Sequence, residues 1–120
     1  MKSGFSFKLY EIEFTECFVH SSYYANGNLQ LSLFGIDPET NEMAHFADIT
    51  LEQNKRKLKF NEIIVDYMFK DNFIPQLKEL GIIKEQTGIC VVNSALYPIY
   101  TVDFSIITEN QYCMQELVAA

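Results

Sequence analysis

The stretch that most constrains the fold lies at residues 62–88 and reads EIIVDYMFKDNFIPQLKELGIIKEQTG. Its β-branched residues at 63–65 predict a short buried strand. Phe73, Leu77 and Leu80 then recur at the spacing of one face of a helix. A strand followed at once by a short amphipathic helix predicts a compact α+β domain.

The helix in this stretch has recognisable start and stop signals. Asp71 or Asn72 can cap its first turn, Pro75 is tolerated there, and Gly81 is a natural terminator. Because the helix is short, it needs a sheet to stabilise it. Thr87-Gly88 predicts a turn after it.

The remainder of the chain predicts a meander of antiparallel strands. Apolar alternation and β-branched or aromatic enrichment predict strands at residues 5–14, 17–24, 29–36, 43–51, 89–92 and 96–104. Asn26-Gly27 predicts a tight hairpin turn between the second and third. Pro98 predicts an edge position or a bulge for the last strand. The spacing of Thr108 and Gln111 is that of a capping box and favours a helix at the C-terminus.

The predicted fold is therefore one α+β domain over residues 1–120. It consists of a curved antiparallel sheet of five to seven strands with one short helix packed on it, and a C-terminal helix as an option. The length of 120 residues and the hydrophobic fraction of 48% support a single domain with a core of its own.

The charge balance narrows the classes of partner. Sixteen acidic and nine basic residues give a net charge of -7. A surface that grips a nucleic-acid backbone or an anionic membrane needs clustered cations, so both are disfavoured as partners. An acidic surface is suited to protein partners, including basic ones, although it also serves solubility alone.

Cysteine usage indicates a reducing compartment. Cys17, Cys90 and Cys113 are odd in number and widely spaced, so no disulfide framework is expected. Lys2 is not followed by an apolar signal segment, and no run approaches the ~20 apolar residues that cross a bilayer. The sequence predicts a cytoplasmic protein without a membrane partner.

No catalytic or metal signature stands out. The two histidines are His20 and His45. Cys17 lies three residues before His20, a spacing that puts two strand side chains on opposite faces, so we expect no metal site. No glycine-rich phosphate loop occurs, and we expect no cofactor. An enzyme that uses Cys17 or Cys90 with a histidine remains a minor alternative.

One basic island interrupts the acidic composition. It contains Lys55, Arg56, Lys57 and Lys59 and is followed by Phe60, which is available to stack on a base. These four cations are a weak nucleic-acid-binding candidate. A solvated loop is the favoured interpretation because the rest of the chain is acidic.

Aromatic residues beside carboxylates are the main candidates for a binding site. Exposed Tyr and Phe are typical of protein interfaces. The predicted protein-binding face is assembled from a tyrosine pair and a segment that precedes the helix: Tyr23, Tyr24, Asp66, Tyr67, Phe69 and Asp71. Core packing is the competing explanation for these aromatics.

Several segments occur in a recognisable order: SYYANG at 22–27, ADITL at 47–51, VDY at 65–67, LKELGII at 77–83, TG at 87–88 and a final apolar strand with Pro98. In this order the chain resembles, over residues 18–102, a family of small uncharacterised bacterial proteins carried on plasmids, conjugative elements and phages. The family has Glu-Asn-Glu-Gly at the helix start, where this chain has Lys-Asp-Asn-Phe at 70–73. The motifs are structural, so the resemblance implies a genetic context rather than a mechanism.

The sequence therefore predicts a non-enzymatic acidic binding protein of a mobile genetic element. The hypothesis is an inhibitor of a host defence system, such as a CRISPR effector, whose nucleic-acid-handling surface is basic. A module that sequesters a small molecule between sheet and helix, in a pocket lined by Phe and Tyr, is the alternative. Either a monomer or a homodimer is compatible with the sequence.

Overall fold

The computed structural model describes residues 4–53 and 56–111. These residues form seven strands and two short helices. The elements in chain order are β1 (Phe5–Leu9), β2 (Ile12–Tyr23), β3 (Leu29–Ile36), β4 (Met43–Asp48), β5 (Glu62–Ile64), α1 (Phe73–Glu79), β6 (Ile83–Val92), β7 (Ala95–Val102) and α2 (Phe104–Glu109).

The predicted α+β class is confirmed, but the predicted single sheet is wrong. Within the described residues the strands form a four-stranded sheet in the order β1-β2-β3-β4 and a three-stranded sheet in the order β5-β7-β6, with every strand pair antiparallel. The division occurs because the chain leaves the first sheet after β4 and next pairs with a strand far along the sequence, β7.

The first sheet begins with a hairpin where one strand was predicted. The strand expected at 5–14 is broken at Tyr10 and Glu11, whose φ angles of 53° and 66° form a two-residue turn. Turns with two positive φ angles normally use Asn or Gly, and neither occurs here. The residue types at positions 10 and 11 therefore do not indicate this turn.

The predicted hairpin between β2 and β3 is confirmed, with Tyr23 opposite Leu29. The predicted tight Asn-Gly turn is wrong, because the loop spans residues 24–28 and Asn26 does not share the positive φ of Gly27, which is 87°. The N–H of Gly27 donates to the Tyr24 carbonyl at 2.8 Å, and the N–H of Tyr24 donates to the Asn28 carbonyl at 2.9 Å.

The second sheet corrects two predictions. Thr87-Gly88 does not form a turn but lies inside β6, where the pairing with β7 is bulged. The turn that joins these strands lies at Asn93 and Ser94, both with positive φ. Of the two positions predicted for Pro98, the edge is wrong because β7 is the central strand, while the bulge lies in β6 one pair away, between Gln86 and Gly88. Pro98 is tolerated because Ile99 is the last β7 residue in register with β5.

Helix α1 is confirmed, and its terminator Gly81 has a φ of 80°. Phe73 and Leu77 are its buried residues. Asn72 is at the N-cap position but its side chain makes no capping hydrogen bond, so the expected capping by Asp71 or Asn72 does not occur.

Helix α2 begins earlier than the predicted C-terminal helix. Asp103 caps it, accepting hydrogen bonds from the N–H groups of Ser105 and Ile106. Thr108 is therefore in its last turn, and residues 112–120 of the predicted helix lie outside the described residues.

Thr50 connects the two sheets. Its hydroxyl accepts from the Leu31 N–H at 3.1 Å, and it forms an isolated β-bridge with Val65. The main core lies where both sheets and both helices meet, and includes Leu31, Leu33, Phe73 and Ile107. A smaller cluster on the other face of the second sheet contains Leu58, Ile64, Cys90 and Ile99.

Candidate functional site

The most unusual surface feature is the loop between β5 and α1, residues 66–72, here called the Phe69 loop. Phe69 is 92% exposed and has a φ of 62°. A left-handed backbone is uncommon for a bulky residue and has to be stabilised by the surrounding structure. The strained backbone at Phe69 therefore places a large apolar side chain in solvent.

Lys70 supplies that stabilisation. Its buried ammonium group pairs with the Asp66 carboxylate at 3.2 Å and donates to the Asp66 carbonyl at 2.8 Å. It also donates to the Asp48 carbonyl at 3.0 Å, at the end of β4, and lies 5.0 Å from the centre of the Phe73 ring. One side chain thus ties the Phe69 loop to itself, to the first sheet and to α1.

An open groove borders the Phe69 loop and is here called the tyrosine groove. It has a volume of about 270 Å³. Its lining comes from the loop, α1 and both long strands of the second sheet: Tyr67, Ile74, Gln86, Ile89, Leu96, Tyr97, Pro98 and Tyr100.

Hydrogen bonds fix the wall of the groove. The Tyr67 hydroxyl donates to the Leu96 carbonyl at 3.2 Å, and the Tyr97 hydroxyl donates to the Met68 sulfur at 3.5 Å. The Tyr67 and Tyr97 rings meet edge to face with centroids 5.8 Å apart. The loop and the groove are therefore joined in one preformed surface.

The apolar floor of the groove continues the face of β7 that is buried in the main core, but this part of the face is not covered. On β7, Tyr100 and Val102 are buried in the main core. Leu96 lies on the same face, since strand side chains alternate, yet 58% of it is exposed. Ile89 of β6, which also lines the groove, is 55% exposed, and Val91, outside the groove, is 64% exposed. An apolar sheet face left open in this way is typical of a docking site.

The structure brings four of the six predicted binding residues onto one loop. Asp66, Tyr67, Phe69 and Asp71 all belong to the Phe69 loop. Asp66 is engaged with Lys70. Asp71 is exposed and lines a separate polar cleft together with residues of the β1–β2 turn.

The two remaining tyrosines differ from one another. Tyr23 is exposed at the end of β2. Tyr24 is half-buried, and its hydroxyl lies 2.9 Å from the Thr50 hydroxyl. Burial, reinforced by carboxylates that include Asp48 and Asp66, raises the pKa of Tyr24. Tyr24 therefore supports the strand junction behind the Phe69 loop, while Tyr23 lies on the first sheet.

Hydrogen bonds to neighbouring segments order the loop that contains the basic island. The Lys57 ammonium donates to the Asn26 carbonyl at 3.1 Å, across the β2–β3 loop. The Arg56 carbonyl accepts from the Asn28 side chain at 3.0 Å. The N–H of Lys59 donates to the Glu62 carboxylate at 3.1 Å. Lys55 lies outside the described residues. These bonds order the loop through backbone groups of Arg56 and Lys59, and among the three only the bond of Lys57 uses a side-chain cation.

A Ser–Asp–His cluster on the first sheet lacks the order that nucleophilic catalysis needs. His45 Nε2 lies 2.9 Å from Asp48 Oδ1, and the Ser32 hydroxyl donates to that same oxygen at 3.4 Å. In a catalytic triad the histidine lies between the serine and the acid, whereas here the acid is central. In the part of the chain that the structure describes, no three His, Cys, Asp or Glu side chains form a metal site.

The groove is small for a metabolite. Pockets that enclose small ligands usually measure about 300–1,000 Å³ and surround most of the molecule, whereas the tyrosine groove is open and smaller. Among the described helices, none is long and apolar enough to cross a bilayer.

Comparison of the chain with protein-family models, with curated proteins and with solved structures gave no match. The site therefore has to be interpreted from its own geometry. Sequence reasoning found the exposed Phe69 but missed Lys70, whose signal was its position four residues after Asp66. It also missed the groove floor, although Ile89 and Leu96 fall within predicted strands, because the sequence does not show which part of the sheet α1 leaves uncovered.

Proposed function

We propose that this chain is a non-enzymatic binding protein that docks a partner protein on the Phe69 loop and the tyrosine groove. The observation that carries the proposal is the presentation of Phe69, which is almost fully exposed on a loop that Lys70, with a side chain only 9% exposed, holds in place. An exposed aromatic residue on a held loop, next to an apolar groove that the same loop borders, is an arrangement suited to an interface hot spot, because the loop backbone loses little conformational entropy on binding.

The partner that we propose is a basic, nucleic-acid-processing protein of a host defence system, such as a CRISPR effector. The net charge of -7 supports a basic partner, since complementary charge accelerates encounter and disfavours wrong partners. The resemblance to proteins of plasmids, conjugative elements and phages supports an anti-defence role. Binding would block the effector without any chemistry by this chain.

The test compares three forms of the protein as bait in a bacterial lysate: the unmodified chain, Phe69→Ala and Phe60→Ala. Phe60 is a matched control, because it is also an exposed phenylalanine, at 80%, and lies outside the loop and the groove. We expect one nucleic-acid-processing complex to be retained by the unmodified chain and by Phe60→Ala. For Phe69→Ala we expect affinity to fall at least about 30-fold, as for a hot-spot residue.

A nuclease assay with the retained effector then measures inhibition by each form. The proposal requires inhibition by the unmodified chain and its loss with Phe69→Ala. Equal capture by all three forms would show that Phe69 is not the anchor. Retention of a small metabolite with no protein partner would favour the sequestering alternative.

A further inference from the structure

In the described part of the chain, one edge of strand β6 has no strand partner. Among the described residues its only strand partner is β7, which makes β6 the outer strand of the second sheet. Such an edge presents a row of backbone donors and acceptors that can pair with another strand. Beside residues 90–93 lies a cleft of about 330 Å³ that Glu52 and Arg56 also line.

The exposure pattern along this edge is symmetric about Cys90. Cys90 is buried, Ile89 and Val91 on either side are exposed, and Gly88 and Val92 beyond them are half-buried. In an antiparallel pair of identical strands related by a two-fold axis, residues at equal distances on either side of the axis lie opposite one another, so an axis at Cys90 sets exposed side chains opposite exposed ones. An axis at Cys90 sets Ile89 of one copy opposite Val91 of the other.

The local absence of charge permits a second copy to occupy this edge. Two chains that each carry a net charge of -7 repel one another. The run from Gln86 to Val102 contains no charged residue, so repulsion is weakest there. Edge strands that avoid self-pairing usually carry Lys or Pro, and residues 86–92 contain neither.

We propose that two copies of this chain pair through β6, antiparallel, with the two-fold axis at Cys90. The two second sheets then form one sheet of six strands. Ile89, Val91 and Leu96 of both copies make a continuous apolar surface on one face of that sheet. Because the paired segment is only residues 88–92, the association is weak, in the micromolar range.

Sedimentation over a range of protein concentrations measures the dimer. We expect the unmodified chain to approach twice the monomer mass at high concentration. Val91→Lys adds a charge beside the axis, twice per dimer, and should raise the dissociation constant at least about tenfold. The matched control is Ile12→Lys, a β-branched strand residue that is 52% exposed on the first sheet, and it should dimerise normally.

A double variant tests the register. Val91→Lys with Ile89→Glu sets each new lysine opposite the new glutamate of the other copy, and should restore dimerisation. Failure to restore it would overturn the axis at Cys90.

Hydrogen exchange of the unmodified chain removes any dependence on variants. Amides of residues 88–92 should exchange more slowly at high protein concentration than at low. A monomer at every concentration, or exchange there that does not depend on concentration, would overturn the proposal. Val91 does not line the tyrosine groove, so neither result decides the role of Phe69.

Discussion

The surroundings of the Cys17 thiol make this group chemically unreactive. Cys17 is fully buried in β2, and its thiol points to the Phe14 carbonyl at 3.6 Å. Burial, with the carboxylate of Glu16 beside it, raises the pKa of the Cys17 thiol to about 12. Since the thiolate is the nucleophile, Cys17 has almost no reactive form at neutral pH.

We expect Cys17 to resist alkylation in the folded protein. Iodoacetamide labelling at pH 8, followed by peptide mass mapping, should modify Cys17 only as fast as the protein unfolds, and rapidly in concentrated urea. Fast labelling of the native chain would contradict this structure and would revive a cysteine-dependent enzyme.

Glu62 is a buried residue whose carboxylate is stabilised in its charged form by hydrogen bonds. The Thr87 hydroxyl donates to it at 2.7 Å and the Lys59 N–H at 3.1 Å. These bonds, led by that from Thr87, hold the pKa of the Glu62 carboxyl below its ordinary value, against the effect of burial. Its folded pKa is thus lower than its unfolded pKa, so it stabilises the fold fully above the unfolded pKa of about 4.3.

This stabilisation should be lost as the pH falls from about 4.3 through the lower folded pKa. We expect Glu62→Gln to lower the free energy of unfolding by about 1–3 kcal/mol at pH 7, measured by urea denaturation, and to cost progressively less as the pH falls. Glu13→Gln, on the exposed part of β2, is the control and should have little effect. A Glu62→Gln effect independent of pH would indicate lost packing instead.

At the scale of elements, the Phe69 loop depends on one side chain. Removing the Lys70 ammonium leaves the Asp66 carboxylate and two carbonyls without their donor. We expect Lys70→Met to lower the free energy of unfolding by about 1–3 kcal/mol, and to speed hydrogen exchange in residues 66–72.

The control for this prediction is Lys78→Met. The Lys78 ammonium is exposed and lies 5.2 Å from the centre of the Tyr100 ring, a contact worth about 0.5–1 kcal/mol. If both variants lost the same stability, with unchanged exchange in the loop, Lys70 would not be what holds Phe69 in place.

Elements with strong periodicity were predictable, and turns with unusual residues were not. The leucines of β3 and the face of α1 followed their apolar spacing because both bury that face. The turns at Tyr10-Glu11 and Asn93-Ser94 have positive φ angles at residues other than glycine. There, pairing of the flanking strands outweighs local preference, which a reading of propensities cannot anticipate.

For the whole molecule, the chain order of the strands hides the division into two sheets. Sequence patterns show which segments are extended but carry no record of which strand is skipped, and β5 skips β6 to pair with β7. The same limit applies to the candidate site. Phe69 was visible as an aromatic residue beside carboxylates, whereas the groove exists only because α1 leaves part of β6 and β7 uncovered.

The pairing order has a consequence for biosynthesis. Each strand of the first sheet pairs with its neighbour in sequence. All four strands of this sheet have therefore been synthesised once the chain reaches Asp48, where β4 ends. β5 instead pairs with Thr101, Tyr100 and Ile99 of β7, which are synthesised much later. A ribosome thus releases a complete meander early, with the inner face that holds Leu31 and Leu33 still uncovered. We expect that nascent meander to need protection by chaperones until the second sheet emerges and covers it.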